Sequence, residues 1–219
     1  MSFAMKKWRL NAFQMIVIGF ALVILAGALL LMLPIATTDG QGASFGDALF
    51  TAISAVCVTG LVVQNTVTYW SVFGQVVVML LIQIGGVGVI TLALAIAMFS
   101  KKKIGLSQRS VMQEAIAAPS LGGIVRLTGF IIRIVLCLEG IGVAILFAAF
   151  YQKFGFAKGL WYAIFHAVSA FCNAGFDLMG SEVPFCSLCD YVGNPLVNIA
   201  ITGLIVLGGI GFISWRDLY

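Results

Sequence analysis

Four long apolar runs limit what this chain can fold into. They cover residues 12–33, 72–99, 127–150 and 196–213 and hold almost no charged side chains. A helix that spans the hydrocarbon core of a bilayer needs about 20 such residues, and the fourth run lies at the lower limit. The whole chain is 62% hydrophobic and only 9% charged, whereas soluble domains are about 25% charged. The sequence therefore predicts an all-α integral membrane protein with four spanning helices.

The first run has a second interpretation as a secretory signal peptide, because basic residues precede it. However, the run from Ala12 to Leu33 is long, and it is followed by Pro34 and a polar loop instead of a small-residue cleavage site. We expect it to remain in the protein as a helix.

Lysine and arginine residues are concentrated on one side of the predicted spans. Nine lie there, whereas only Lys153 and Lys158 lie in segments on the other side. The positive-inside rule places the side with more basic residues in the cytoplasm, together with both termini. The net charge of +4 is thus a topology signal and a poor indication of nucleic-acid binding. The nine residues are Lys6, Lys7, Arg9, Lys101, Lys102, Lys103, Arg109, Arg126 and Arg216.

Acidic residues face the opposite, outer side. Five carboxylates there would raise the local concentration of cations at an external mouth, and ordinary solvated loops explain them equally well. These residues are Asp39, Asp47, Asp177, Glu182 and Asp190.

The five cysteines are an odd number, which argues against a complete disulfide framework. Cys186 and Cys189 form a C-x-x-C pair in an outer loop. Without a second pair or nearby histidines, this pair is a weak zinc motif. A surface disulfide and two free thiols both remain open.

The chain contains an internal repeat. Residues 48–61 (ALFTAISAVCVTGL) and 163–176 (AIFHAVSAFCNAGF) are identical at seven of fourteen positions, and residues 80–91 and 203–214 share a G-G-x-G pattern. The repeated unit is a span, a short apolar segment, a glycine-ended loop and a second span. The predicted divisions are a first unit at 1–100, a basic cytoplasmic loop at 101–126 and a second unit at 127–219.

The short apolar segments at 45–57 and 160–172 are too brief to cross a bilayer. Thirteen helical residues extend about 20 Å, whereas the hydrocarbon core is about 30 Å thick. Each segment is expected to enter as a half-helix and return to the outer side as extended chain. Non-helical backbone at membrane depth is tolerated where it is buried in protein or lines a watery cavity, so the loops that follow are predicted to line a pore.

The predicted potassium site consists of backbone carbonyl oxygens in these loops. Carbonyl rings replace the hydration shell of potassium in channel filters, and glycine adopts the necessary backbone conformations without strain. The alternative is that Gly60 and Gly175 are ordinary turn glycines. The predicted filter residues are Cys57, Val58, Thr59, Gly60, Cys172, Asn173, Ala174 and Gly175.

The motifs SAVCVTGL and SAFCNAGF, each followed by GGVG or GGIG, and the ending GGIGFISWRDL resemble the Trk/Ktr/HKT superfamily of potassium transporters. The KtrB-type membrane subunit is most similar. The resemblance implies helix–pore-loop–helix units arranged as a pseudo-fourfold, cation-channel-like ring, with Gly60 and Gly175 as the first two filter glycines. It implies potassium uptake across the bacterial cell membrane, without a covalently bound cofactor.

Two units are present where the family has four. We therefore expect half of a KtrB/TrkH-like subunit, with either a missing C-terminal half or a homodimer completing the ring. The resemblance also implies sodium as a coupling ion and a cytoplasmic nucleotide-binding regulatory subunit, KtrA/TrkA-like. The basic stretch 101–109 fits such a partner, and it fits anionic membrane lipid headgroups better.

Two further residues have open roles. Glu139 lies in the third run, where a carboxylate either binds a coupling cation or braces a neighbouring half-helix. His166, the only histidine, is expected to be a packed, hydrogen-bonded residue. The chain contains no P-loop and no nucleophile–base motif, so we do not expect an enzyme. The rival hypotheses are a non-conducting, truncated or assembly-only membrane protein, and a tetrameric potassium channel, which would require a TVGYG-like filter.

Overall fold

The computed structural model describes residues 12–88, 124–180 and 183–211. Every regular element in these ranges is helical, and one isolated antiparallel bridge joins Thr37 to Trp70. The all-α prediction is therefore confirmed for the described residues. The α-helices are α1 (Ala12–Leu31), α2 (Phe45–Val56), α3 (Thr66–Tyr69), α4 (Val72–Val87), α5 (Ile124–Phe171) and α6 (Pro195–Gly209), with 3-10 turns at Pro34–Ala36 and Cys189–Tyr191.

Local capping determines where several helices begin. The side chain of Ser44 accepts a hydrogen bond from the Asp47 backbone N–H at the start of α2. Ser71 caps α4 in the same way, and Asn194 caps α6 immediately before Pro195. These side chains satisfy N–H groups that have no partner within the helix, and proline at the first helical position needs none.

The short apolar segments are helical, and these two helices are here called the half-helices. The first is α2, within one residue of the predicted 45–57 segment. The second is continuous with the preceding span, because α5 extends from Ile124 to Phe171 and is interrupted only at Gly155, which has φ 74° and ψ −172°. Glycine adopts this conformation without a Cβ clash. The second half-helix is therefore 156–171, longer than the predicted 160–172.

Two described helices are long and apolar enough to cross a membrane, at Gln14–Leu31 and Arg126–Phe171, the latter including the break. The described helices α2, α4 and α6 are shorter and also apolar. The remainder of the predicted 72–99 run lies outside the described residues. On α1, Leu22 and Leu29 are more than 60% exposed, and such apolar surface fits contact with lipid chains.

The two units pack in the same way. Helix α1 contacts α2 and α4 in the first unit, α5 contacts α6 in the second, and α4 joins the two units by contacting α5. In the first unit, a Cβ atom added to Gly27 would lie 2.6 Å from Leu81, and in the second, one added to Gly142 would lie 2.6 Å from Leu204. A glycine thus lets the two long helices of each unit approach closely.

Candidate ion-binding site

The two predicted filter stretches, here the first segment (57–60) and the second segment (172–175), each follow the C-terminus of a half-helix. In both segments, the first three N–H groups donate back to carbonyl groups in the last turns of the half-helix. The bonds run from Cys57 to Ile53, Val58 to Ala55, Thr59 to Ser54, Cys172 to Val168, Asn173 to Ala170 and Ala174 to Ser169, at 2.8–3.3 Å. The two sets correspond residue by residue, so the repeat extends to the backbone hydrogen bonds.

The backbone of both segments has the same unusual conformation. Val58 and Gly60 have φ 49° and 72°, and Asn173 and Gly175 have φ 58° and 73°. Every second residue is thus in the left-handed region.

A further shared feature of the two segments is the hydrogen bonding of their carbonyl oxygens. In the part of the chain that the structure describes, no hydrogen-bond donor is directed at the carbonyls of 57–60 or 172–175. The C-terminal end of each half-helix lies beside them, and this end of the helix dipole favours a cation.

The two segments meet at their glycines. A Cβ atom added to Gly60 would lie 2.6 Å from the carbonyl oxygen of Ala174 and 3.3 Å from the Cα atom of Gly175. Both distances are too short for any side chain without a shift of the backbone. Gly60 is thus required by its left-handed conformation and by the approach of the second segment.

The G-G-x-G motifs lie against the ends of the half-helices. A Cβ atom on Gly85 would collide with the carbonyl oxygen of Val56, the last residue of α2, and one on Gly208 would collide with that of Phe171. These glycines let α4 and α6 pass directly beside the C-termini of the half-helices. This close packing fixes the position at which the first and second segments begin.

The side-chain hydrogen bonds around the first and second segments are only partly the same. The hydroxyl of Ser54 accepts from the Thr59 hydroxyl at 2.9 Å, whereas Ser169 donates to the carbonyl of Phe176 at 2.6 Å. The amide of Asn173 donates to the carbonyl of Ile205 in α6 at 3.3 Å. Val58 occupies the equivalent position of the first segment and has no side-chain donor.

His166 is a packed residue of the second half-helix. It is 2% exposed, its Nε2 accepts from the N–H of Leu178 at 3.3 Å, and its Nδ1 lies 2.7 Å from the carbonyl oxygen of Tyr162. These partners assign a neutral imidazole with the proton on Nδ1. His166 therefore holds the chain that leaves the second segment.

Glu139 is buried in α5, and Gln83 of α4 is its polar neighbour. Arg133, the nearest basic residue along the helix, is exposed. The carboxylate thus contacts the other unit through an amide.

The acidic residues that were predicted to lie on the outer side are mostly engaged in local hydrogen bonds. The pKa of Asp39 is lowered because its carboxylate accepts from the Thr37 hydroxyl and the Gln41 N–H. Asp190 pairs with Lys153 at 2.8 Å, with both side chains largely exposed. Glu182 lies outside the described residues.

Cys186 and Cys189 are free thiols in the structure and lie close to each other. Within 12–88, 124–180 and 183–211, no three His, Cys, Asp or Glu side chains converge on a possible metal site.

Sequence reasoning missed the residues that join the two units. A Cβ atom on Gly86 would lie 2.6 Å from Cβ of Cys172, and the amide of Asn65 donates to the carbonyl of Gly180 at 2.7 Å. The internal repeat could have indicated that Gly86 matters, since it belongs to the shared G-G-x-G pattern. It could not have indicated its partner.

Comparison with known proteins gives consistent matches over nearly the whole chain. A sequence profile of the TrkH cation transport proteins matches residues 6–219. The chain is 43% identical over 210 residues to the potassium/sodium uptake protein NtpJ of Enterococcus hirae. It is 47% identical over 213 residues to the Ktr system potassium uptake protein B of Bacillus subtilis, and 35% identical over 206 residues to that of Vibrio alginolyticus.

These alignments include 94–97% of this chain but only 44–46% of each relative, so the chain spans about half the length of the curated relatives that it matches. The matched residues contain both half-helices, both segments and both G-G-x-G motifs. The chain belongs to the TrkH family of cation transport proteins.

Proposed function

We propose that the first and second segments are two strands of a potassium filter. The observation that carries this proposal is the shared backbone: N–H groups tied back to the half-helix, left-handed residues at alternate positions, and carbonyl oxygens without donors. Potassium would exchange water for these oxygens. The filter residues are Cys57, Val58, Thr59, Gly60, Cys172, Asn173, Ala174 and Gly175.

The two units, 1–100 and 127–219, would supply half of a pseudo-fourfold ring in a bacterial cell membrane. The basic loop 101–126 and both termini would lie in the cytoplasm. Uptake needs no enzymatic step, because the membrane potential supplies about 2.3 kcal/mol per 100 mV to a monovalent cation that moves inward.

The names of the relatives are the basis for proposals about additional ions and partners. One relative is named for both potassium and sodium, and we propose that sodium either competes with potassium or is coupled to its uptake. Two relatives are named as protein B of a Ktr system, and we propose that this chain also works with other components, including a cytoplasmic nucleotide-binding regulatory subunit. The ring would be completed by a C-terminal half or by a second copy.

The second candidate function is a non-conducting membrane or assembly protein. The alignments cover about half of each relative's length, and the test below separates the two candidates.

The test uses potassium-limited growth and rubidium uptake in a bacterium that lacks its own potassium uptake systems. Two proteins are expressed: residues 1–219, and a chimera in which these residues replace the matching half of the Bacillus subtilis relative. The chimera should support uptake, and Gly60→Ser and Gly175→Ser should each abolish it. The matched control is Gly203→Ser, because a Cβ atom at this helical glycine has nothing within 4 Å.

Uptake by residues 1–219 would mean that copies of the chain complete a pore. Uptake only by the chimera would assign the chain as one half of a larger subunit. A well-expressed chimera without uptake, beside an active parent relative, would contradict the proposed function and favour the non-conducting alternative.

A further inference from the structure

A chain of three polar side chains crosses the junction between the two units. The side-chain oxygen of Gln83, on α4 of the first unit, lies 3.9 Å from the thiol sulfur of Cys172. The same side chain is the polar neighbour of Glu139, on α5 of the second unit. Gln83 thus links the first residue of the second segment to a buried carboxylate.

The directions of these polar contacts are mutually consistent. The Cys172 thiol donates to the Gln83 oxygen, so the Gln83 amide nitrogen remains as the donor to the Glu139 carboxylate. Glu139 is 6% exposed, and among the described residues its Oε1 atom has no hydrogen-bond partner. Because a buried polar group without a partner is costly, loss of Gln83 would leave both Glu139 and Cys172 unsatisfied.

The surface of α4 fits Cys172 closely. A Cβ atom added to Gly86, three residues after Gln83, would lie 2.5 Å from the Cys172 sulfur. Residues three apart lie on the same face of a helix. Gln83 and Gly86 therefore form a socket in which Cys172 is fixed both sterically and by a hydrogen bond.

This arrangement is specific to the junction and is not part of the repeat. At the repeat spacing of 115 residues, Cys57 corresponds to Cys172 and Ile24 to Glu139. At the spacing of 123 residues, which applies to the stretch with the G-G-x-G motif, Gln83 corresponds to Val206. Cys57 is exposed, and neither Val206 nor Ile24 carries a polar side-chain atom. The polar linkage therefore sets the second segment relative to the first unit.

We propose that Gln83 is a positioning residue for the second filter segment, acting by linking Cys172 to Glu139 across the junction between the units. The proposal rests on the proposed function. Its role is to fix the position of the Cys172 carbonyl relative to the carbonyls of the first segment. Replacement of Gln83 should therefore change the half-saturation concentration for potassium more than the maximal rate of uptake.

The transport test measures half-saturation for potassium, inhibition by sodium and maximal rate per expressed protein in the chimera. Gln83→Leu and Cys172→Ala should each raise the half-saturation concentration about fivefold, the factor that one hydrogen bond contributes to an equilibrium. Maximal rate should change less. The double variant should be no worse than either single variant, because both single changes remove the same contact.

The matched control is Leu80→Ala, one turn earlier on α4 and 52% exposed, which should leave all three quantities unchanged. Unaltered half-saturation and sodium inhibition in Gln83→Leu would overturn the proposal. Effects that multiply in the double variant would also overturn it, because the two residues would then act independently.

A second measurement does not depend on transport. N-ethylmaleimide labelling of the 219-residue chain, followed peptide by peptide with mass spectrometry, should modify Cys172 slowly and at least about fivefold faster in Gln83→Leu, since one hydrogen bond then no longer holds the thiol. An unchanged labelling rate would overturn the linkage. If the parent chimera takes up no potassium, the proposed function fails, whereas labelling still decides whether Gln83 holds Cys172.

Discussion

The indole N–H of Trp161 donates a hydrogen bond to the side-chain oxygen of Gln75, with 2.8 Å between the two heavy atoms. Trp161 lies in the second half-helix and Gln75 lies on α4, so this bond joins the two units. The Gln75 amide also donates to the carbonyl of Trp70 at 3.0 Å, and Gln75 is 6% exposed. The junction thus has a second buried polar contact, far along α4 from Gln83.

Trp161→Phe should destabilise the chain, because it removes the donor and leaves the buried oxygen of Gln75 without a partner. The expected loss is about 1–3 kcal/mol of unfolding free energy, measured by thermal unfolding in detergent. Tyr151→Phe is the control, since Tyr151 is 52% exposed and keeps its ring contact with Phe147. In a double-mutant cycle with Gln75→Leu, additive losses would show that the two side chains are not coupled.

The G-G-x-G glycines give a prediction that depends on position. Gly85→Ala and Gly208→Ala should each lower the unfolding free energy by about 1–3 kcal/mol or more, as expected for overpacking, because each new methyl group meets a backbone carbonyl at the end of a half-helix. Gly203→Ala should instead gain up to about 1 kcal/mol, the helix propensity difference between the two residues. Thermal unfolding of the three variants measures this contrast. Equal effects at the three positions would mean that the approach of α4 and α6 to the half-helices is looser than described.

The bounds of the half-helices show which features of the fold the sequence pattern predicts. The first was predicted at 45–57 and is observed at Phe45–Val56, because its apolar composition distinguishes it from the polar loop before it. The second begins earlier than predicted, because polar residues around Lys158 resemble a loop and a single residue, Gly155, makes the break. Composition averages over several residues, so it cannot locate a change of direction confined to one.

The junction between the units was beyond sequence reasoning for a different reason. Gln83 and Cys172 are 89 residues apart, and the repeat aligns neither with the other. Their contact depends on how α4 of one unit meets the second segment, which internal similarity does not specify. Glu139 could be recognised from sequence as unusual, because a carboxylate in an apolar run requires a partner. The partner became evident only from the packing of α4 on α5.

Exchanging the side chains of Val58 and Asn173 should have opposite effects on the unfolding free energy. Both have positive φ, but a β-branched residue is strained there, whereas asparagine tolerates it. Val58→Asn should raise the unfolding free energy by about 1 kcal/mol through relief of this strain. Asn173→Val should lower it by more, because it adds strain and removes the bond to the Ile205 carbonyl. Chemical or thermal unfolding in detergent measures both changes, and a stabilising Asn173→Val would contradict the described backbone.

The pair of Cys186 and Cys189 gives a prediction of pH dependence. The pKa of the Cys186 thiol is raised, first by its hydrogen bond with Cys189 and further by the nearby carboxylates of Asp190 and Asp177. Because the thiolate is the reactive form, iodoacetamide should modify Cys186 slowly near neutral pH and faster as pH rises through the raised pKa. Cys189→Ala removes the main cause, so the midpoint of the rate profile should move to lower pH, whereas the neighbouring Ser187→Ala should leave it in place. Peptide mass spectrometry at a series of pH values measures both profiles. A midpoint that does not move in Cys189→Ala would mean that the two thiols do not interact in the folded chain.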